Sequence, residues 1–145
     1  MSAELRVGTR SVLSREQLRR VYDRIGRYID TQAFYEDRAT EVLIRHGRFR
    51  SARRVIEFGC GTGRFAALLL SRELPPDARY RALDLSPAMV RLARKRLACF
   101  IPRAEIVLTD GSPPSTEPPA SRDRFVSNFV LDLLSEEDIA TLTGA

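Results

Sequence analysis

The run Glu57-Phe58-Gly59-Cys60-Gly61-Thr62-Gly63 gathers an acid and three alternate glycines within seven residues. Glycines let a backbone bend sharply and let a ligand come close to it. The spacing is G-x-G-x-G, whereas a pyrophosphate-cradling turn reads G-x-G-x-x-G. Glu57 stands two residues before the first glycine, where a carboxylate would repel a pyrophosphate and suit a cationic ligand carrying an amino group. Asp84 lies 21 residues after Gly63, and a carboxylate can accept two hydrogen bonds from a diol. Its blander role is a helix-capping acid. Asp110-Gly111 reads as a ligand-facing acid or as an ordinary turn. Asn128 is a polar residue in an otherwise largely apolar run, and Asp132 reads plainly as a loop or N-cap acid. Cys60 invites a nucleophile reading, but the sole histidine, His46, is not near it in sequence and suits a solvated helix end.

These residues need elements to bring them together. Arg54 to Phe58 reads as a short buried strand running into the glycine turn, with a helix from Arg64 to about Arg72. Tyr80 to Leu85 is a second strand, followed by a helix from Pro87 to about Phe100. On that helix Val90, Ala93 and Leu97 form the buried face, and Arg91, Arg94 and Lys95 the outer one. Ala104 to Leu108 is a third strand and Arg124 to Val130 a fourth, separated by a Pro/Ser/Thr-rich loop over 112–121. Ser135 caps a last helix with Glu136, Glu137 and Asp138 in its first turn. Ahead of the first strand, Ser14 and Gln17 form a capping-box pattern for a helix ending near Gly26. A second helix runs from about Thr31 to Ile44, its buried positions Phe34, Ala39, Val42 and Leu43. Alternating strands and helices mean α/β architecture with a parallel sheet, whose ligands sit beyond the carboxyl ends of the strands. Gly59 to Gly63, Asp84, Asp110 and Asn128 all fall at those ends.

With Glu57 to Gly63, the segment Ala82-Leu83-Asp84-Leu85-Ser86-Pro87-Ala88-Met89 and Ser127-Asn128-Phe129-Val130-Leu131 in place, the chain resembles the class I S-adenosylmethionine-dependent methyltransferases of small-molecule or quinone type. The resemblance implies a Rossmann-like doubly wound sheet in the order 3-2-1-4, with N-terminal helices. It implies S-adenosyl-L-methionine as cofactor. Glu57, Gly59, Cys60, Gly61, Thr62 and Gly63 would then meet its amino-acid end and Asp84 its ribose. Leu85, Met89, Asp110 and Gly111 would meet its adenine, Asn128 would lie near the methyl group and the substrate, and Asp132 would be a weaker candidate for a substrate contact or base. Residues 1–50 would form a helical arm or lid, with Tyr22, Tyr28 and Tyr35 toward substrate, and 51–145 the cofactor domain. The family's sheet has seven strands, so the expectation is a chain cut short after the fourth, which leaves that strand as an open edge for self- or hetero-association.

Net charge is +5, with 24 basic residues of which only Lys95 is a lysine. The arginines are scattered along the chain, which argues against a nucleic-acid partner and leaves a small molecule as the expected one. Two cysteines and one histidine give neither a disulfide framework nor a zinc spacing, so no metal is expected. No apolar run reaches the ~20 residues of a membrane span and Met1 to Arg10 lacks the core of a secretory signal, so the expected location is cytoplasmic. Two competing functions stand beside methyl transfer: a non-catalytic module that pairs with another chain, and an NAD-binding oxidoreductase.

Overall fold

Ser14 and Gln17 cap the first helix reciprocally, as their spacing predicts. The Ser14 hydroxyl accepts from the Gln17 amide at 3.2 Å, and the Gln17 side chain accepts from the Ser14 amide at 2.8 Å. In the computed structural model, residues 14–25, 33–111, 123–128 and 135–143 are described. Helix α1 spans Arg15–Ile25 and α2 spans Ala33–Gly47. On α2 the inward stripe is Thr40, Leu43, Ile44 and Gly47, the i, i+3, i+4, i+7 set. The expected Ala39 and Val42 are exposed, Val42 at 59%, because the stripe sits one residue further round the helix. The side chain of Phe34 lies outside the described set.

Four parallel strands are described: β1 (Arg54–Phe58), β2 (Arg79–Asp84), β3 (Ala104–Leu108) and β4 (Arg124–Val126). Their order is β3-β2-β1-β4, as expected. Strand β4, expected to run to Val130, ends at Val126, where the polar Ser127 and Asn128 follow, and residues 129–130 lie outside the described set. It pairs with Val55 to Glu57 of β1. The Ser127 hydroxyl donates to the Phe58 carbonyl at 3.3 Å. At its start, Asp123 accepts from the backbone amides of Arg53 and Arg54, fixing the register.

Helix α3 (Arg64–Leu68) does not continue as α-helix to Arg72 but passes into a wider turn, Leu69–Glu73, closed by the Leu74 amide on the Leu69 carbonyl at 2.8 Å. Leu69 and Leu70 are both buried there, and Pro75 forces Leu74 into extended geometry. Helix α4 (Pro87–Arg96) begins at a Ser86 cap and is followed by a separate tight turn, Ala98–Phe100. Val90, Ala93 and Leu97 are buried and Arg91, Arg94 and Lys95 exposed, as the periodicity predicts. Helix α5 (Glu136–Thr143) follows Ser135.

Period-two alternation divides the sheet. Val55, Tyr80, Ala82, Ala104, Ile106 and Val126 share the larger core with α3 and α4 residues. Ile56, Phe58 and Leu83 form a smaller cluster with Val107. Phe49, just before β1, is buried and meets the Phe65 ring edge-on at 6.1 Å. Burial of apolar surface on both faces, worth about 25 cal/mol per Å2, is what holds the strand ends in place.

Candidate functional site

The glycine turn leaves β1 and folds over the end of β2. The Leu83 carbonyl accepts from both the Gly59 and the Cys60 amides, at 2.8 and 2.9 Å. Asp84 then grips the turn: its Oδ2 accepts from the Gly61 amide at 2.8 Å, and its Oδ1 from the Ser86 amide at 2.9 Å. A carboxylate has about four acceptor positions, so capacity remains for a ligand hydroxyl. The cap of α4 is Ser86, whose Oγ accepts from the Met89 amide at 3.3 Å, so Asp84 is not the helix-capping acid. Burial raises the Asp84 carboxyl above its ordinary range, the Ser86, Gly61 and Leu85 amides pull it back, and the charge of Asp23 adds to the rise.

The glycines of the turn differ in what they face. Gly61 has φ +53°, and a Cβ there would meet nothing within 4 Å among the described residues, so that side of the turn is open with respect to them. Gly63, at φ +75°, is pressed on α4, with an added Cβ only 3.1 Å from the Ala93 Cβ. Thr62 turns the same way, its Oγ1 accepting from Arg96 at 2.5 Å.

Glu57 is 1% exposed beneath the turn, and the Tyr80 hydroxyl donates to its Oε2 at 2.8 Å. Burial lifts its carboxyl to about 8, the Tyr80 hydrogen bond opposes the rise, and Asp84 adds to it. The unfolded chain ionises this acid near 4.5 while the fold retains the proton to about 8. The native state therefore binds more protons over that interval, and stability falls as pH rises through it, levelling above. Glu57→Gln keeps an acceptor for Tyr80 and removes the charge. The variant is expected to melt several degrees higher than the parent at pH 8, with no gain at pH 4, by circular dichroism. An unchanged melting difference across that range would show that Glu57 carries no buried charge. An acid kept at this cost to the fold is a candidate for function.

Cys60 is buried, and burial together with Glu57 and Asp84 pushes its thiol far above its ordinary range, so it supplies no thiolate. Around the crevice, Leu85 is half-buried with its Cδ2 3.6 Å from where a Gly111 Cβ would stand. Gly111 has φ +84°, and the stem of Arg15 from α1 lies over it at 3.4 Å. Met89 is enclosed at 1% exposure, Asp110 is exposed, and Asn128 is half-buried beyond β4. Tyr28 and Asp132 lie outside the described residues, as do the side chains of Tyr22 and Tyr35.

Three contributors escape the sequence reading. Asp23 of α1 accepts from the Ser86 hydroxyl at 2.6 Å and the Ala88 amide at 3.3 Å, clasping α1 to the start of α4. Ser86 links that clasp to Asp84, and Tyr80 holds Glu57. The alternation of β2 puts Tyr80, Ala82 and Asp84 on one face, a signal that could have found Tyr80. A separate groove of about 800 Å3, lined by Ile44, Arg45, Arg48, Phe49, Leu68 and Arg72 among others, flanks the entry to β1 and is remote from these residues. No group of three His, Cys, Asp or Glu suited to a metal occurs among the described residues, and no described helix is long and apolar enough to cross a membrane.

Methyltransferases are among the known proteins to which this chain is similar. A trans-aconitate 2-methyltransferase from Methylobacterium radiotolerans is 38% identical over 104 residues, covering 72% of this chain and 36% of that protein. A malonyl-[acyl-carrier protein] O-methyltransferase from a Paenibacillus species is 39% identical over 59 residues, covering 40% of this chain and 21% of that protein. The chain thus spans about a third or less of these curated relatives. Among solved structures, the S-adenosylmethionine-dependent methyltransferase SibL in its apo form superposes with a TM-score of 0.58 at 26% identity, over 74% of this chain and 31% of that one. The family model described as a methyltransferase domain matches residues 55–144, from the second residue of β1 through α5, and so takes in the glycine turn, the Asp84 clamp and the rim around them; this chain belongs to that methyltransferase domain family.

Proposed function

We propose that the chain binds S-adenosyl-L-methionine in the crevice above β1 and β2, and that it serves methyl transfer to a small-molecule acceptor. The observation that carries this reading is the Asp84 carboxylate, which joins the glycine turn to the end of β2 and retains spare acceptor capacity. In this reading the turn at Gly59 and Gly61 receives the amino-acid head, with the Glu57 charge beneath it. Asp84 takes the ribose diol, and Leu85, Met89, Asp110 and Gly111 take the adenine. Asn128 and Asp132 face the acceptor, and Tyr22, Tyr28 and Tyr35 belong to a lid formed by residues 1–50. The sulfonium supplies the activated methyl group. What remains for the chain is to hold the reactants in line and keep water out. A small carboxylic acid is the acceptor to test first, since the two relatives' names specify aconitate and a malonyl group. The setting proposed is the cytoplasm.

Calorimetric titration tests this. S-adenosylhomocysteine is expected to bind one-to-one with micromolar affinity, and NAD to give no heat. A folded protein indifferent to millimolar S-adenosylhomocysteine overturns the reading, and binding of NAD in its place restores the oxidoreductase. A second reading, a non-catalytic module that pairs through a sheet edge, draws on β4, one of the two outer strands among those described, where Phe125 is 38% exposed. It predicts a stable complex with another chain, visible by size analysis, and no cofactor binding.

A further inference from the structure

We infer that Tyr80 is a positioning residue for recognition of the cofactor's amino-acid head: its phenol orients Glu57 beneath the glycine turn and stabilises the carboxylate that forms when the head binds, without itself touching the ligand. The inference rests on the reading of the crevice given above.

Register places the pair. Val55 lies opposite Tyr80 and Glu57 opposite Ala82, so Tyr80 and Glu57 are diagonal neighbours on one face of adjacent strands. Tyr80 is 2% exposed and belongs to an otherwise apolar cluster that includes Ala52, Val55 and Leu69. A phenylalanine would fill that volume equally well. Among the described residues, the hydroxyl's partner is Glu57, at 2.8 Å. Buried polar groups persist where they are partnered, and a bond to a charged group is worth more than a neutral one.

The surroundings of Glu57 show why the phenol matters. The titratable groups bearing on it are Asp84 from the end of β2, Cys60 from the turn and Tyr80 itself. Asp84 is an acid, while the Cys60 thiol and the Tyr80 phenol are held neutral, so no cation among them keeps the carboxylate ionised. Burial and Asp84 drive a proton onto it, and the phenol works the other way. At neutral pH a cationic head settles over the turn as that proton leaves to solvent. Tyr80, by lowering the cost of ionisation, sets how tightly the head is held.

Two probes isolate the effect. S-adenosylhomocysteine carries the amino-acid head, and methylthioadenosine offers the same nucleoside and thioether without it. Tyr80→Phe is expected to weaken S-adenosylhomocysteine about tenfold at pH 7, as a Glu57 carboxyl about tenfold harder to ionise would, and to leave methylthioadenosine unchanged. The gap should narrow to about twofold by pH 9, where Glu57 is about nine-tenths ionised in the parent and about half ionised in the variant. In a Glu57→Gln background the same substitution should have no effect on either probe. Equal weakening of both probes, or a loss independent of pH, would reveal a merely structural tyrosine and overturn the inference. Wild-type protein offers a check free of any variant: S-adenosylhomocysteine should release close to one proton per site at pH 7, measured in buffers of different ionisation enthalpy, and methylthioadenosine none. Release of no proton overturns the coupling even where binding is tight. Failure of the wild type to bind either probe overturns the underlying reading of the crevice and this inference with it.

Discussion

Asp84→Ala is expected to weaken S-adenosylhomocysteine binding by about a thousandfold or more, placing it beyond calorimetric detection, while the sheet stays folded. The carboxylate does two things at once. It accepts from the Gly61 and Ser86 amides at 2.8 and 2.9 Å, and its spare acceptor capacity is proposed to take the ribose. Hydrogen bonds to a charged acceptor contribute about 1.5–3 kcal/mol each, so losing two to a ribose diol alone removes two to four orders of magnitude. Alanine also leaves Gly61 without its anchor, so the turn no longer holds one shape for the ligand. Stability moves differently. Burial raises the Asp84 carboxyl in the fold, so the ionised group burdens the native state as pH climbs from the unfolded pKa to the folded one. Asp84→Asn removes that charge and keeps one acceptor, but sets an NH2 group against one of two backbone donors. It should weaken binding about a hundredfold with little change in melting at pH 7. Calorimetry and thermal melts on the two variants check both halves. Tight binding by Asp84→Ala would refute the assignment of this acid to the ligand.

The sequence makes the frame legible and hides the connections. Strands β1 and β3 match their apolar runs residue for residue, and the Ser14–Gln17 box and the buried face of α4 follow from local spacing. The slips have local causes as well. The run from Phe125 to Val130 carries apolar residues on both sides of Ser127 and Asn128, and the described β4 ends just before that polar pair, so counting apolar residues overruns the strand. The α2 stripe reads one position off because Val42, Leu43 and Ile44 are consecutive and apolar, and only the packed core selects Leu43 and Ile44. In the crevice, the positions of Glu57, Gly61 and Asp84 at strand ends are readable, but their partners are not. The bond from Tyr80 to Glu57 depends on strand register, and the clasp of Asp23 on Ser86 joins residues 63 apart. Neither register nor a distant contact is written in any short window of sequence. Gly61 and Gly63 look identical in the motif, and only the fold separates an open surface from a helix contact.

That separation yields opposite expectations for two substitutions in one turn. Gly61→Val should abolish S-adenosylhomocysteine binding, a loss above a hundredfold, and lower the melting temperature by only a few degrees. At φ +53° a side chain costs roughly 1–2 kcal/mol of backbone strain, but it projects into space with no atom of the described residues within 4 Å, where the ligand's head is proposed to lie. Gly63→Ala is the reverse. Its methyl would stand 3.1 Å from the Ala93 Cβ, 3.2 Å from the Ala93 Cα and 3.3 Å from the Leu97 Cδ1. A backbone atom cannot move aside as a flexible side chain does, so overpacking of about 1–3 kcal/mol adds to the strain at φ +75°. Melting should fall further than in Gly61→Val, while the protein that remains folded binds within a few-fold of wild type. A turn built only to join β1 to α3 would not sort the two this way. Its glycines would fail in stability alone, and Gly61→Val would still bind the ligand. Measuring melting and affinity on both variants therefore asks whether the open face of Gly61 is a ligand surface or an unfilled corner of the fold.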